Sequence, residues 1–282
     1  MSTQFILVQL YEIQTPAEAE ALIALGVDHI GSVILSASRW KDSAIRETVR
    51  LTRSAGARSS LIPLFKTPAT IMEMLDYYRP DIVHFCESVS DRNGMLEICR
   101  KLLMIQKQVK KNFPEIAIMR SIPIAPPGLA RHVPTLELAA LFEPASDYFL
   151  TDTLLVQNTS KTVPIDQPVN GFIGITGQTC DWLMARKLVD AARIPVILAG
   201  GISPDNVVEG LRQVRPAGVD SCTGTNARDS YGHPIRFKKD PARVKRLVDA
   251  VRGFEAGLLL DDLRPGSRRP PADGDNEKGR HS

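Results

Sequence analysis

The sequence predicts a single α/β domain, a (β/α)8 TIM barrel over residues 1–256, followed by a disordered polar tail over 257–282. Three observations carry this. Eight short, apolar, β-rich runs alternate with amphipathic helical stretches. No GxGxxG turn follows the first run, as an open dinucleotide-binding sheet would require. Two glycine turns, LAGGISPDNV (198–207) and GVDSCTG (218–224), follow the last two runs, where barrels commonly bind phosphate.

In chain order the strands are FILVQLY (5–11), DHIGSVIL (28–35), RSSLIPLF (58–65), DIVHFC (81–86), EIAIMRSI (115–122), DYFLTD (147–152), PVILA (195–199) and AGVDSC (217–222). Near-continuous apolar strands suit a parallel sheet buried on both faces, and the intervening stretches supply its cover. These helices are expected at 16–25, 41–54, 68–78, 91–112, 133–142, 179–192, 204–214 and 240–254. Thr15–Pro16, Thr67–Pro68 and Ser203–Pro204 read as N-cap and first-turn pairs. The connection 153–178 is long enough to be a lid or binding loop. Residues 264–282, rich in Pro, Gly and charge, have nothing to bury.

Composition excludes several classes. Of the 282 residues, 43% are hydrophobic, enough for a sizeable core, and a net charge of +3 is too weak to suggest nucleic acid. The four cysteines show no CxxC or metal-ligand spacing, and read as reduced thiols. The apolar start lacks a basic lead and is too short for export or membrane spanning. The expectation is a cytoplasmic protein with no metal or cofactor, no membrane partner, and a homodimer left open.

Gly200 and Gly201, without Cβ atoms, let backbone N–H groups approach a ligand, and Ser203–Pro204 would aim a helix N-terminus at the same space. Thr223 and Gly224 repeat the arrangement one strand later. The pair is sized for a phosphate. Chemistry in a barrel collects at the C-terminal strand ends, which offer Gln9, Tyr11 and Glu12, then Arg39, His84, Cys86, Arg120, Asp152 and Asp220. Asp152, ending the apolar strand of FLTDT, has the desolvation that suits a general acid, or else is an N-cap. Arg39 is a carboxylate clamp or a solvated surface arginine. Asp220 either orients the phosphate-site backbone or makes a turn. His84 is a proton carrier or a hydrogen-bonded core residue.

The segments VQLYEIQ (8–14), GSVILSASR (31–39), IVHFCES (82–88), LTDT (150–153), GITGQTCDW (174–182), LAGGISPDNV and GVDSCTG together resemble the phosphoribosylanthranilate isomerase family, over residues 5–252. That resemblance implies an enzyme of tryptophan biosynthesis. Its reaction is an Amadori rearrangement of a phosphorylated ribosylamine, in which an acid protonates the ring oxygen, a base removes the C2′ proton and an arginine holds the anthranilate carboxylate. By motif position it makes Asp152 the acid and Arg39 the clamp. Asp220 becomes a mouth aspartate, and Gly200, Gly201, Thr223 and Gly224 the phosphate cradle. The family's cysteine base falls on Tyr11 and its neighbouring glycine on Glu12, so Glu12, His84 or Tyr11 has to replace the base. The alternatives are a same-fold enzyme on another phosphosugar and a non-catalytic phospholigand-binding protein.

Overall fold

The computed structural model describes residues 5–91, 94–156 and 168–263. Eight parallel strands close into a barrel: β1 (Leu7–Leu10), β2 (His29–Ile34), β3 (Arg58–Pro63), β4 (Ile82–Phe85), β5 (Ala117–Ile124), β6 (Tyr148–Thr153), β7 (Val196–Leu198) and β8 (Gly218–Asp220). Each pairs with its neighbours in sequence, and β8 returns to β1 with Gln9 opposite Asp220. The covering helices are α1 (Pro16–Ala24), α2 (Ser43–Ser54), α3 (Pro68–Tyr78), α4 (Cys99–Asn112), α5 (Thr135–Phe142), α6 (Trp182–Ala191), α7 (Val207–Val214) and α8 (Pro241–Leu263).

Strand alternation divides the core into two layers. On β1, Val8 and Leu10 pack outward with Leu22 of α1 in the layer between strands and helices. Tyr11 joins Val33, Ile62, Leu150 and Ile197 in a second cluster inside the barrel. Inward positions are partly polar: Gln9, Ser60, His84 and Ser121 are all buried. Buried polar groups persist only when bonded, and these bond across strands: His84 to Ser121 and Tyr11, Ser60 to Tyr11, and Gln9 to Asp220 and His29.

Thr15 caps α1, its Oγ1 accepting from the Glu18 N–H at 3.3 Å, whereas Thr67 makes no side-chain cap bond to α3. Several helix boundaries differ from expectation, three of them for a visible reason. Helix α4 starts at Cys99, because Ser90–Asp91 and Gly94–Met95 pair as a short antiparallel ladder ahead of it. Helix α7 starts at Val207, not at Pro204. The Asn206 side chain accepts from the Ser203 N–H at 2.8 Å and donates to the Gly201 carbonyl at 2.9 Å. This closes a turn before the helix can begin. Helix α8 runs on to Leu263, so the expected domain boundary at 256 falls inside a helix; residues 264–282 of the expected tail lie outside the described residues. No apolar run anticipates the antiparallel hairpin of Asn226–Arg228 with Pro234–Lys239 that follows β8.

Candidate active site

A cavity opens at the C-terminal ends of the strands. Its wall includes Tyr11, Glu12, His84, Asp152 and Asp220 together with the turns at Gly200–Gly201 and Thr223–Gly224. The loop segment Phe172–Gly177 closes over it. That segment is pinned at its far end: Thr153 Oγ1 donates to the Gln178 carbonyl at 2.7 Å, and the Asp181 N–H to the Ala125 carbonyl at 2.9 Å. Gly174, at φ +106°, lets the loop pass against Asp152, since a Cβ there would fall 2.4 Å from Asp152 Oδ2. Of the long connection predicted at 153–178, residues 157–167 lie outside the described residues.

Asp152 ends β6, its Oδ1 accepting from the Thr153 N–H at 3.0 Å. Burial pushes its carboxyl up to about 7, which gives it a proton to donate near neutrality. Asp220, at the end of β8, is also lifted to about 7, by burial first and then by the nearby Asp152 charge. Its Oδ1 accepts from Gln9 Nε2 at 3.3 Å, and Gln9 Oε1 lies 3.1 Å from His29 Nδ1. Asp220 is therefore an oriented carboxylate on the wall of the cavity, as well as a neighbour of the turn.

The residues expected to replace the base are held in other bonds. The Tyr11 hydroxyl lies 2.5 Å from Ser60 Oγ and 2.8 Å from His84 Nδ1, and His84 Nε2 lies 2.7 Å from Ser121 Oγ. Burial pushes the Tyr11 phenol well above its ordinary value and holds His84 down to about 3. Ser60, Tyr11, His84 and Ser121 thus form a neutral relay across the barrel. Glu12 stands at φ +69°, left-handed backbone that favours glycine. Its carboxylate binds Arg236 Nη2 at 2.5 Å and accepts from the Phe237 N–H at 3.2 Å. The hairpin after β8 thereby locks Glu12, a partnership across 224 residues of sequence that no local pattern reveals. Lys239 of the same hairpin is buried and donates to the Cys222 carbonyl at 2.9 Å and to Asn226 Oδ1 at 2.6 Å.

Two expected mouth residues lie elsewhere. Arg120 is fully buried on the helix-facing side of β5, its guanidinium 4.5 Å from the centre of the Phe142 ring and paired at 2.5 Å with the buried Glu87. Arg39 is exposed in the 3-10 turn Ala37–Arg39 after β2 and is not on the cavity wall. Cys86 and Cys222 do line the cavity, but burial raises both thiols, Cys222 to about 12. At the phosphate end, Gly200 (φ +84°) and Gly201 (φ +67°) adopt left-handed backbone that excludes most side chains. The N–H groups of Gly201, Thr223 and Gly224 meet no acceptor among the described residues. The Ser203 N–H, by contrast, is already taken by Asn206.

A closed parallel barrel with an acidic mouth, where strand-end carboxylates face two glycine turns, defines a (β/α)8 enzyme. A family model described as N-(5'phosphoribosyl)anthranilate (PRA) isomerase matches residues 140–233. The N-(5'-phosphoribosyl)anthranilate isomerase of Methanocella arvoryzae is 27% identical over 249 residues, which covers 84% of this chain and 94% of that one. The solved phosphoribosylanthranilate isomerase of Thermotoga maritima superposes with a TM-score of 0.61 at 18% identity, covering 88% of this chain and 100% of that one. A second solved isomerase, in complex with reduced 1-(o-carboxyphenylamino)-1-deoxyribulose 5-phosphate, gives 0.59 at 17% identity over 88% and 100%. Over most of its length the chain is similar to the phosphoribosylanthranilate isomerases, and its residues 140–233 match their family model.

Proposed function

We propose that this protein isomerises phosphoribosylanthranilate by an Amadori rearrangement, the reaction of tryptophan biosynthesis, as its family relatives are named for doing. The observation that carries this reading is Asp152. It is a strand-end carboxyl held up to about 7 that shares one cavity with the two glycine turns. Asp152 protonates the ring oxygen, and the free N–H groups of Gly201, Thr223 and Gly224 receive the phosphate. The ligand of one solved neighbour, a phosphorylated analogue, supports a phosphosugar as substrate. Steady-state turnover of phosphoribosylanthranilate by the purified protein tests the reading; absence of turnover refutes it.

The exposed position of Arg39, away from the cavity wall, favours a second reading, a same-fold enzyme on a phosphosugar without the anthranilate carboxylate. Arg39→Ala separates the two. A KM raised tenfold or more for phosphoribosylanthranilate supports the first, and an unchanged KM the second.

A further inference from the structure

We infer that Asp220 is the catalytic base of this protein, taking the C2′ proton while Asp152 supplies the proton to the ring oxygen. The inference rests on the isomerase reading above. Its ground is the geometry of the cavity wall, where each other group that could accept a proton is committed. The Tyr11 hydroxyl sits between Ser60 and His84, and both His84 nitrogens are bonded. The Glu12 oxygens bind Arg236 and the Phe237 N–H. Cys86 and Cys222 are thiols that burial keeps protonated.

Asp220 differs from all of these. One oxygen is held by Gln9, which is itself held by His29, and the other meets no donor among the described residues. The residue ends β8 beside β1 and faces the cavity, 6% exposed. The charged and titratable groups around it are Asp152 from β6, Lys239 from the hairpin, Cys222 on its own strand end and Tyr11 from β1. Asp152 resists a second negative charge, whereas Lys239 favours the Asp220 carboxylate. Lys239 acts on Asp220 and is not among the groups that act on Asp152, so when one of the two carboxyls is ionised it is Asp220. Asp220 is then the base and Asp152 the acid.

The proton balance closes without a co-reactant. The Asp152 proton goes to the ring oxygen as the C1′–O bond breaks, and the nitrogen lone pair forms C1′=N. The Asp220 carboxylate takes the C2′ proton. The C–H pair becomes C1′=C2′, and the C=N pair returns to nitrogen. Ketonisation of the resulting enolamine moves one proton from the 2′-hydroxyl to C1′. A proton passing from Asp220 to Asp152 through solvent restores the starting pair.

The test compares wild type, Asp220→Asn and Asp220→Glu with phosphoribosylanthranilate, and measures binding of the reduced 1-(o-carboxyphenylamino)-1-deoxyribulose 5-phosphate analogue by calorimetry. Asparagine is isosteric and can still accept from Gln9. We expect kcat to fall by about 10²–10⁴-fold in Asp220→Asn, with analogue affinity within about threefold of wild type, and Asp220→Glu to recover part of the rate. A kcat in Asp220→Asn within tenfold of wild type overturns the assignment. So does a loss of analogue affinity as large as the loss of kcat, which would make Asp220 structural. Failure of wild type to turn over at all refutes the isomerase reading, and the assignment with it, whereas turnover that survives Asp220→Asn refutes the assignment alone.

Discussion

The Tyr11 ring lies in the space that Gly31 leaves open: a Cβ on Gly31 would fall 2.1 Å from Tyr11 Cδ1 and 2.4 Å from Cε1. A tyrosine at the end of β1 is thus laid against the backbone of β2. Its hydroxyl reaches Ser60 on β3 and His84 on β4. Tyr11, where the family resemblance places a thiol, is a cross-link between strands.

Gly31→Ala should therefore destabilise the protein by about 1–3 kcal/mol, the usual cost of overpacking. Tyr11→Cys empties the same space, so adding Gly31→Ala to it should cost far less. The two substitutions should be strongly non-additive in denaturant unfolding, with a coupling above about 1 kcal/mol. Additive effects would mean that the ring moves freely away from Gly31.

Glu12 sets two effects of opposite sign against each other. Its left-handed backbone costs about 1–2 kcal/mol for a residue with a Cβ, and glycine would relieve that. Removing the carboxylate leaves Arg236 and the Phe237 N–H unpaired; breaking a buried pair costs about 3–5 kcal/mol, and less here because Arg236 is partly exposed. The ion pair should win. Glu12→Gly is expected to lower the thermal midpoint and to speed proteolysis within the 226–239 hairpin, and a higher midpoint would show that strain dominates.

Phosphate binding is best probed at Thr223. Gly201→Asp would set a carboxylate beside the phosphate, but its Cβ would also fall 2.6 Å from the Gln178 carbonyl carbon, so a loss of binding would be ambiguous. Thr223 already carries a Cβ. Thr223→Asp should abolish calorimetric binding of inorganic phosphate with little change in thermal midpoint, and Thr223→Ser should retain it. Full affinity in Thr223→Asp would move the anion site elsewhere.

The barrel was legible because every strand is a short apolar run between helical periods, and all eight predicted runs overlap an observed strand. Asp152 was legible for a related reason: it is the polar residue that ends such a run. Arg120 was misplaced by one step of alternation. Met119 and Ser121 face the barrel interior, where they meet Gln9, Tyr11 and His84, so Arg120 must face the helices. A charge is tolerated there only because Glu87, 33 residues earlier, comes to meet it. Glu12 failed as a base candidate in the same way. Its partner lies in a hairpin whose two short strands carry no apolar run of their own, so neither the hairpin nor the ion pair leaves a mark in the local sequence.

The two mouth carboxyls should make the fold less stable as pH rises. Each is held up to about 7 by burial, against about 3.9 for an aspartate in an unfolded chain. Between those values the folded protein keeps a proton that the unfolded chain has released. Stability present below about pH 4 is then lost as pH climbs through about 7. His84 and His29, held down to about 3 and about 4, act in the opposite sense and weaken the fold as pH falls below about 6.5. Their contribution is common to wild type and carboxyl variants and cancels in the difference. Asp152→Asn and Asp220→Asn remove one titration each, so at about pH 8 both should melt above wild type, while near pH 4 the gap should close. A gain of about 1 kcal/mol corresponds to roughly 2–4 °C for a chain of this size, within reach of a thermal scan. The same variants should lose activity, because a carboxyl that strains the fold is the one poised to exchange protons at neutral pH. A lower midpoint for Asp220→Asn at about pH 8 would mean that Lys239 more than offsets burial, and that the Asp220 carboxylate is a structural charge.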